Sequence, residues 1–224
     1  MTPSIARRIG LGALLFAVAA TAAACGGSRS LTDNFTSRIT AGDFQVSGSA
    51  TGSFSVSAGG MTFDGTAAGT FKAKGKDSAS SLSMTIAGST STNDSVDVGD
   101  FSYTRTDGGA WTRSARTTDS GMDFAVMVSA GVTDKGVETH NGKQLHHLEP
   151  NQAVDPKQIF GSDSAMSGGT FTVVFWATDD GTPAGLTVSG NWSQDMNGTT
   201  AQATITLDFN FDSLSGVTIE APSM

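Results

Sequence analysis

The chain has 224 residues, enough for one domain or two small ones at roughly 100–200 residues each. Lys and Arg total 13 against 21 Asp and Glu, a net charge of -8, which argues against a surface that tracks nucleic-acid phosphates. Only 15% of residues are charged and 38% are hydrophobic, with 28 glycines, which excludes coiled coils, long-helix bundles and charged tails; the single cysteine excludes an internal disulfide framework and a cysteine-based zinc site.

Residues 1–25 divide into three zones. Arg7 and Arg8 are a positive start, Ile9 to Ala24 carries no charge around Leu11, Leu14, Leu15, Phe16 and Val18, and Ala22-Ala23-Ala24-Cys25-Gly26 closes the run with small residues. The apolar stretch is shorter than the ~20 residues that span a bilayer, so residues 1–24 read as a signal peptide. The cysteine at its end resembles the lipobox of bacterial lipoproteins, in which a diacylglyceryl group is joined to the Cys sulfur and cleavage falls just before it. Ala22 stands where that motif usually has Leu, and an ordinary signal-peptidase site at Ala22-x-Ala24 would leave Cys25 as a free thiol. Lipidation at Cys25 implies an anchor on the extracytoplasmic face of the cell membrane, with residues 25–30 as a short tether. Removal of residues 1–24 takes away Arg7 and Arg8 and no acid, leaving 11 basic and 21 acidic residues. Such a body has little attraction to anionic headgroups, so attachment would rest on the acyl chains.

Leu31 to Ala41 reads as a short helix, with Leu31, Phe35 and Ile39 four apart and Gly42 as a stop. Nearly everything after it alternates with period two: Phe54 and Val56, Met61 and Phe63, Leu82, Met84 and Ile86, Val96 and Val98, Phe101 and Tyr103, Leu186 and Val188, then Ile205, Leu207, Phe209 and Phe211. One apolar and one polar face suits an antiparallel sheet with a solvated side. Turn signals separate the runs at Gly59-Gly60, Asp107-Gly108-Gly109, Asn141-Gly142, Asp180-Gly181 and Asn197-Gly198. About ten or eleven strands result, enough for a large curled sheet or a barrel. Two further helices are expected. Ser120 to Ala130 carries Met122, Phe124, Ala125, Val126, Met127 and Val128; Asp155 to Gly161 has an Asp cap, Pro156 at the first position and Gly161 at the end. No composition shift after residue 31 marks a second domain.

This order of elements, with Phe101-Ser-Tyr103 through Asp107-Gly-Gly-Ala-Trp111, the Val137-to-Leu148 hairpin, Phe175-Trp176 before Asp180-Gly181-Thr182-Pro183 and the terminal Phe209-Asn-Phe211-Asp212 to Ile219-Glu-Ala-Pro222, resembles the LppX/LprAFG lipoproteins of actinobacteria and, more distantly, the LolA/LolB lipoprotein carriers. The resemblance implies a mainly β (α+β) fold: a strongly curved antiparallel half-barrel over residues 31–224, with two or three short helices on its concave side. It also implies a non-catalytic protein, without cofactor, that binds a lipid or lipidated molecule in the hollow and exchanges it with an envelope transporter or acceptor protein. No single residue carries over from the family. Alternation alone names Leu82, Met84, Ile86, Val96, Val98, Phe124, Met127, Val128, Phe175, Leu186, Val188, Leu207 and Phe209 as candidate cavity-facing side chains. The same residues could equally fill an ordinary core, giving a non-catalytic interaction or sensory domain.

Chemical motifs are weak. His146 and His147 are neighbours in a strand-like run and point to opposite faces, which denies them a shared metal; His140 lies across the Asn141-Gly142 turn and could approach one of them with Glu138 or Glu149 near, a zinc or copper site being the minor alternative to three solvent-facing strand histidines. Asp208-x-Asn210-x-Asp212 starts like a calcium loop but has Ser213 at the sixth position and Ile219 at the twelfth. Gly69 to Asp77 has five residues between its glycines and lacks the Ser/Thr of a phosphate-binding loop. No serine sits in a Gly-x-Ser-x-Gly elbow. Trp111, Trp176 and Trp192 could stack on sugars, but separated indoles suit a core or rim equally.

Overall fold

The structure is a computed structural model that describes residues 29–116, 123–155, 169–196 and 199–224. The elements run α1 (Leu31–Thr40), β1 (Gln45–Ala58), β2 (Met61–Lys74), β3 (Asp77–Ile86), β4 (Ser89–Val98), β5 (Phe101–Thr106), β6 (Thr112–Ala115), α2 (Phe124–Met127), β7 (Val132–His140), β8 (Lys143–Pro150), β9 (Thr170–Ala177), β10 (Pro183–Met196) and β11 (Thr199–Ser213). All eleven strands form one antiparallel sheet in the order β6-β5-β4-β3-β2-β1-β11-β10-β9-β8-β7. The sheet does not close: β6 and β7 are its two ends, and the first and last strands pair in the middle. This is the expected curved half-barrel, and the two helices among the described residues lie on one face.

Local chemistry explains the helices. Ser30 caps α1 by accepting the Asp33 backbone N–H at 3.1 Å, Asp33 favours the positive end and Arg38 the negative end, and Phe35 and Ile39 are buried four residues apart. The end of the expected tether is therefore part of the helix cap, and Arg29 reaches forward to Ser37 at 3.2 Å. The second helix is one turn rather than Ser120 to Ala130: Asp123 caps it through the Val126 N–H at 3.0 Å, and the chain turns at Gly131, with φ +82°, straight into β7. Met122, the third expected helix beyond Asp155, the Asn197-Gly198 turn and the signal segment with Cys25 lie outside the described residues.

Glycines allow the bend. A Cβ on Gly48 would overlap the Asn210 carbonyl of β11, and one on Gly69 would overlap the Ser81 carbonyl of β3. Both residues face the helix-covered side, so their bare backbones let neighbouring strands crowd together there. Over Gly48, Phe71 of β2 meets Phe209 and Phe211 of β11 edge-on at centroid distances of 5.4 and 6.0 Å, although β1 runs between them.

One cross-strand row shows how that inner face changes character. It runs Phe175, Leu186, Phe209, Ala50, Gly69, Leu82 and Asn93 from β9 to β4. At the β9–β11 end α1 and α2 pack down: Phe35 meets Phe175 at 5.4 Å and Phe124 meets Phe211 at 5.8 Å, both edge-on. Phe35, Phe175, Met127, Val128, Leu148, Leu186 and Val188 have no exposed surface there. At β4 the same face turns polar, with Ser89, Ser91, Asn93, Ser95 and Asp97 in successive inward positions.

Candidate functional site

Between the packed core and that polar strand lies an apolar trough. Its rows are Leu207, Gly52, Ala67 and Met84; then Ile205, Phe54, Gly65 and Ile86; then Ala203, Val56 and Phe63, ending at Ala58 and Met61. Met61, Phe63, Met84 and Ile86 are 61, 44, 38 and 39% exposed, although they share the face that elsewhere forms the core. Together they form a contiguous apolar patch on that face that the helices leave open to water. The small residues Gly52, Gly65 and Ala67 floor it, and Phe54 leans over Gly65.

The polar flank is built from β4 and β5. Asp97 is buried and accepts hydrogen bonds from the Ser78 hydroxyl at 3.2 Å and the Ser102 hydroxyl at 2.5 Å. Ser80, Ser89, Ser91 and Asn93 beside it are exposed. The inner face thus carries an apolar strip bordered by a hydroxyl-rich shelf.

The thirteen candidate residues divide three ways. Phe124, Met127, Val128, Phe175, Leu186, Val188 and Phe209 are buried in the core cluster, sealed by α1 and α2. Leu82, Met84, Ile86 and Leu207 line or border the open trough. Val96 and Val98 sit on the opposite face: Leu82 pairs with Asn93, whereas Val96 pairs with Ala79 and Tyr103. Their expected place beside Leu82 is corrected by the register, since a two-residue connection at Ala87-Gly88 joins Ile86 to Ser89 and exchanges odd for even positions between β3 and β4. Phe54, Met61 and Phe63 belong to the trough as well, and hairpin parity through the two-residue turns at Gly59-Gly60 and Gly75-Lys76 is the signal that places them with Met84.

The histidines differ from their solvent-facing expectation. The β7–β8 hairpin curls back over the outer face, and its tip docks on the middle of the sheet. His140 stacks on Trp176 at 4.1 Å with ring planes 9° apart, its Nε2 lies 3.0 Å from Asp208, and Asn141 donates to Asp208 and Asn210 at 2.7 and 2.9 Å. Trp176 donates to the Thr187 hydroxyl, which donates in turn to Asp208, at 2.8 and 2.9 Å. His146 and His147 do part to opposite faces, the first to Asp134 and Asp179, the second to Glu138 with Glu149 at 3.4 Å. Among the described residues no group of three or more His, Cys, Asp or Glu is placed to hold a metal ion. Thr187 thus links the Trp176 indole to the Asp208 carboxylate in one hydrogen-bonded chain that ties β9, β10 and β11 together on the outer face.

No family model and no curated protein sequence matches the chain. Solved structures do. LprF from Mycobacterium bovis is similar over 87% of this chain and 96% of its own, at 10% identity and a TM-score of 0.41. A DUF1329 family protein from Desulfovibrio piger covers 84% and 93% at 12% identity and a TM-score of 0.30. A LolA superfamily protein from Nitrosomonas europaea covers 83% and 93% at 9% identity and a TM-score of 0.30. Among the described residues no helix is long and apolar enough to cross a membrane.

Proposed function

We propose that the protein is an envelope lipoprotein that carries or presents a long-chain amphiphile, with the chain in the inner trough and the polar end on the β4–β5 shelf. The single observation behind this reading is the exposure of Met61, Phe63, Met84 and Ile86 on the same face as the sealed core. Transfer of a ~16-carbon chain from water onto such a surface is worth on the order of 10 kcal/mol at ~0.8 kcal/mol per methylene. Transfer from a bilayer changes the chain's surroundings far less, so loading and release need no strong polar contact. Two methionines in the strip suit this work, because unbranched thioethers adapt to chains of differing length and unsaturation.

Acylation of Cys25 would hold the carrier at the outer leaflet, where its acidic body alone would not stay. No catalytic group or cofactor takes part in this reading. The sealing of seven expected pocket residues favours a second reading, in which the trough receives an apolar segment of an envelope protein and carries no lipid. Native mass spectrometry of residues 25–224 purified from membranes separates the two. A co-purifying lipid that is displaced by a fluorescent palmitate analogue supports the carrier; a bare protein that also fails to take up the analogue rejects it.

A further inference from the structure

The outer face has a cavity of its own, opposite the trough. It measures about 530 Å³, within the usual size of small-molecule sites. Thr70, Ser81, Asp94 and Arg105 form one cross-strand row along its floor, from β2 to β5, with Ala79 and Val96 in the next row. Trp111 and, from the C-terminal strap, Thr218, Ile219 and Glu220 complete the lining of this open pocket. That strap has no regular structure but is firmly held. Lys74 donates to the Val217 carbonyl at 3.2 Å, Lys72 to the Thr218 carbonyl at 3.5 Å, the Val217 N–H donates to Gln45 at 2.9 Å, and the Val217 side chain is buried.

The polar groups are fixed before any ligand arrives. Arg105 Nε lies 2.5 Å from Asp94, and the guanidinium sits 4.6 Å above the centre of the Trp111 ring. The Ser81 hydroxyl and Arg105 hold the Asp94 carboxyl below its ordinary range, so it stays an acceptor. Charge is balanced: Arg105 and Lys72 stand against Asp94 and Glu220. An anion would meet two carboxylates, and a hydrocarbon would strip water from an ion pair and two hydroxyls. A neutral ligand with hydroxyls on its edge and C–H groups on its face meets neither cost.

We propose that this open, strap-lined pocket is a binding site for a neutral saccharide unit, packed against the Arg105–Trp111 stack, its hydroxyls bonded by Asp94, Arg105, Thr70 and Ser81. A free glycan and the head of a glycolipid share this chemistry. The proposal is independent of the trough, which lies on the other face, and either can fail alone.

Maltose, dodecyl maltoside below its micelle concentration and glucose 6-phosphate are titrated into 15N-labelled residues 25–224, with the Trp111 indole N–H shift as readout. A saturable shift with maltose assigns a free glycan; a shift with dodecyl maltoside alone assigns a glycolipid head. In either case Trp111→Ala and, as a variant that keeps the charge and the fold, Arg105→Lys should weaken saturation transfer to the sugar by about tenfold or more, the worth of about one lost stacking or planar contact. No shift with either maltoside, saturation transfer unchanged in both variants, or a larger response to glucose 6-phosphate than to maltose overturns the proposal.

Discussion

Met84→Asp probes the trough with little disturbance to the fold. Met84 lies in β3, the strand of the strip that borders β4, paired with Ala67 and Ser91, and is already 38% exposed, so a carboxylate there stays hydrated in the empty protein. Stability should then move by no more than about 0.5 kcal/mol, as for an ordinary surface change. A bound chain that crosses this row must instead avoid the charge. If about three methylenes lose their apolar contact at ~0.8 kcal/mol each, affinity falls by about 2.4 kcal/mol, or roughly 50-fold. Displacement of a fluorescent palmitate analogue measures it. Thr66→Asp is the control, since Thr66 is exposed in the neighbouring strand on the outer face. Equal affinities for Met84→Asp and the unmodified protein, or equal losses for both variants, would refute the placement of the chain.

Gly48→Ala should cost about 1–3 kcal/mol, because its Cβ displaces the β11 backbone at Asn210; thermal unfolding should fall by several degrees, and an unchanged Tm would show that the bend does not need this glycine. Cys25→Ala should move the protein from the membrane pellet to the soluble fraction, and continued sedimentation with membranes would reject the acyl anchor. Asp180, at the β9–β10 turn, is held at about 2 by the Thr178 and Thr182 hydroxyls, the Thr182 N–H and Arg38 of α1. Its folded pKa is depressed, so the stability it adds is complete above the ordinary carboxylate value and drains away as pH falls from about 4 to about 2. Amide exchange in α1 should accelerate across that window in the native protein and be less pH-dependent in Asp180→Asn; identical profiles would detach this turn from α1.

Strand identity was legible in the sequence because period-two alternation follows from the pleat itself. Faces were legible only within a strand. Leu82, Met84 and Ile86 share a side from their spacing alone, but their relation to Val96 and Val98 depends on the length of one turn, and Ala87-Gly88 lacks the Asn-Gly or Asp-Gly mark of the others. Both Ala87 and Gly88 take positive φ, at 49° and 82°, which the alanine gives no reason to expect. Sealing was also invisible: Phe175 and Met84 alternate alike, and only the docking of Phe35 and Phe124 separates a core position from an open one. The outer-face clasp escaped notice because it joins His140 to Trp176 and Asp208 by curling a hairpin over the sheet, and no local pattern encodes that path.

Photo-crosslinking tests the account most directly. Residues 25–224 loaded with a diazirine-bearing palmitate, irradiated and digested, should carry label on β2 and β3 peptides at Phe63, Met84 or Ile86. Label confined to outer-face residues such as Val96 or Trp176, or spread evenly along the chain, would contradict an acyl chain in the trough.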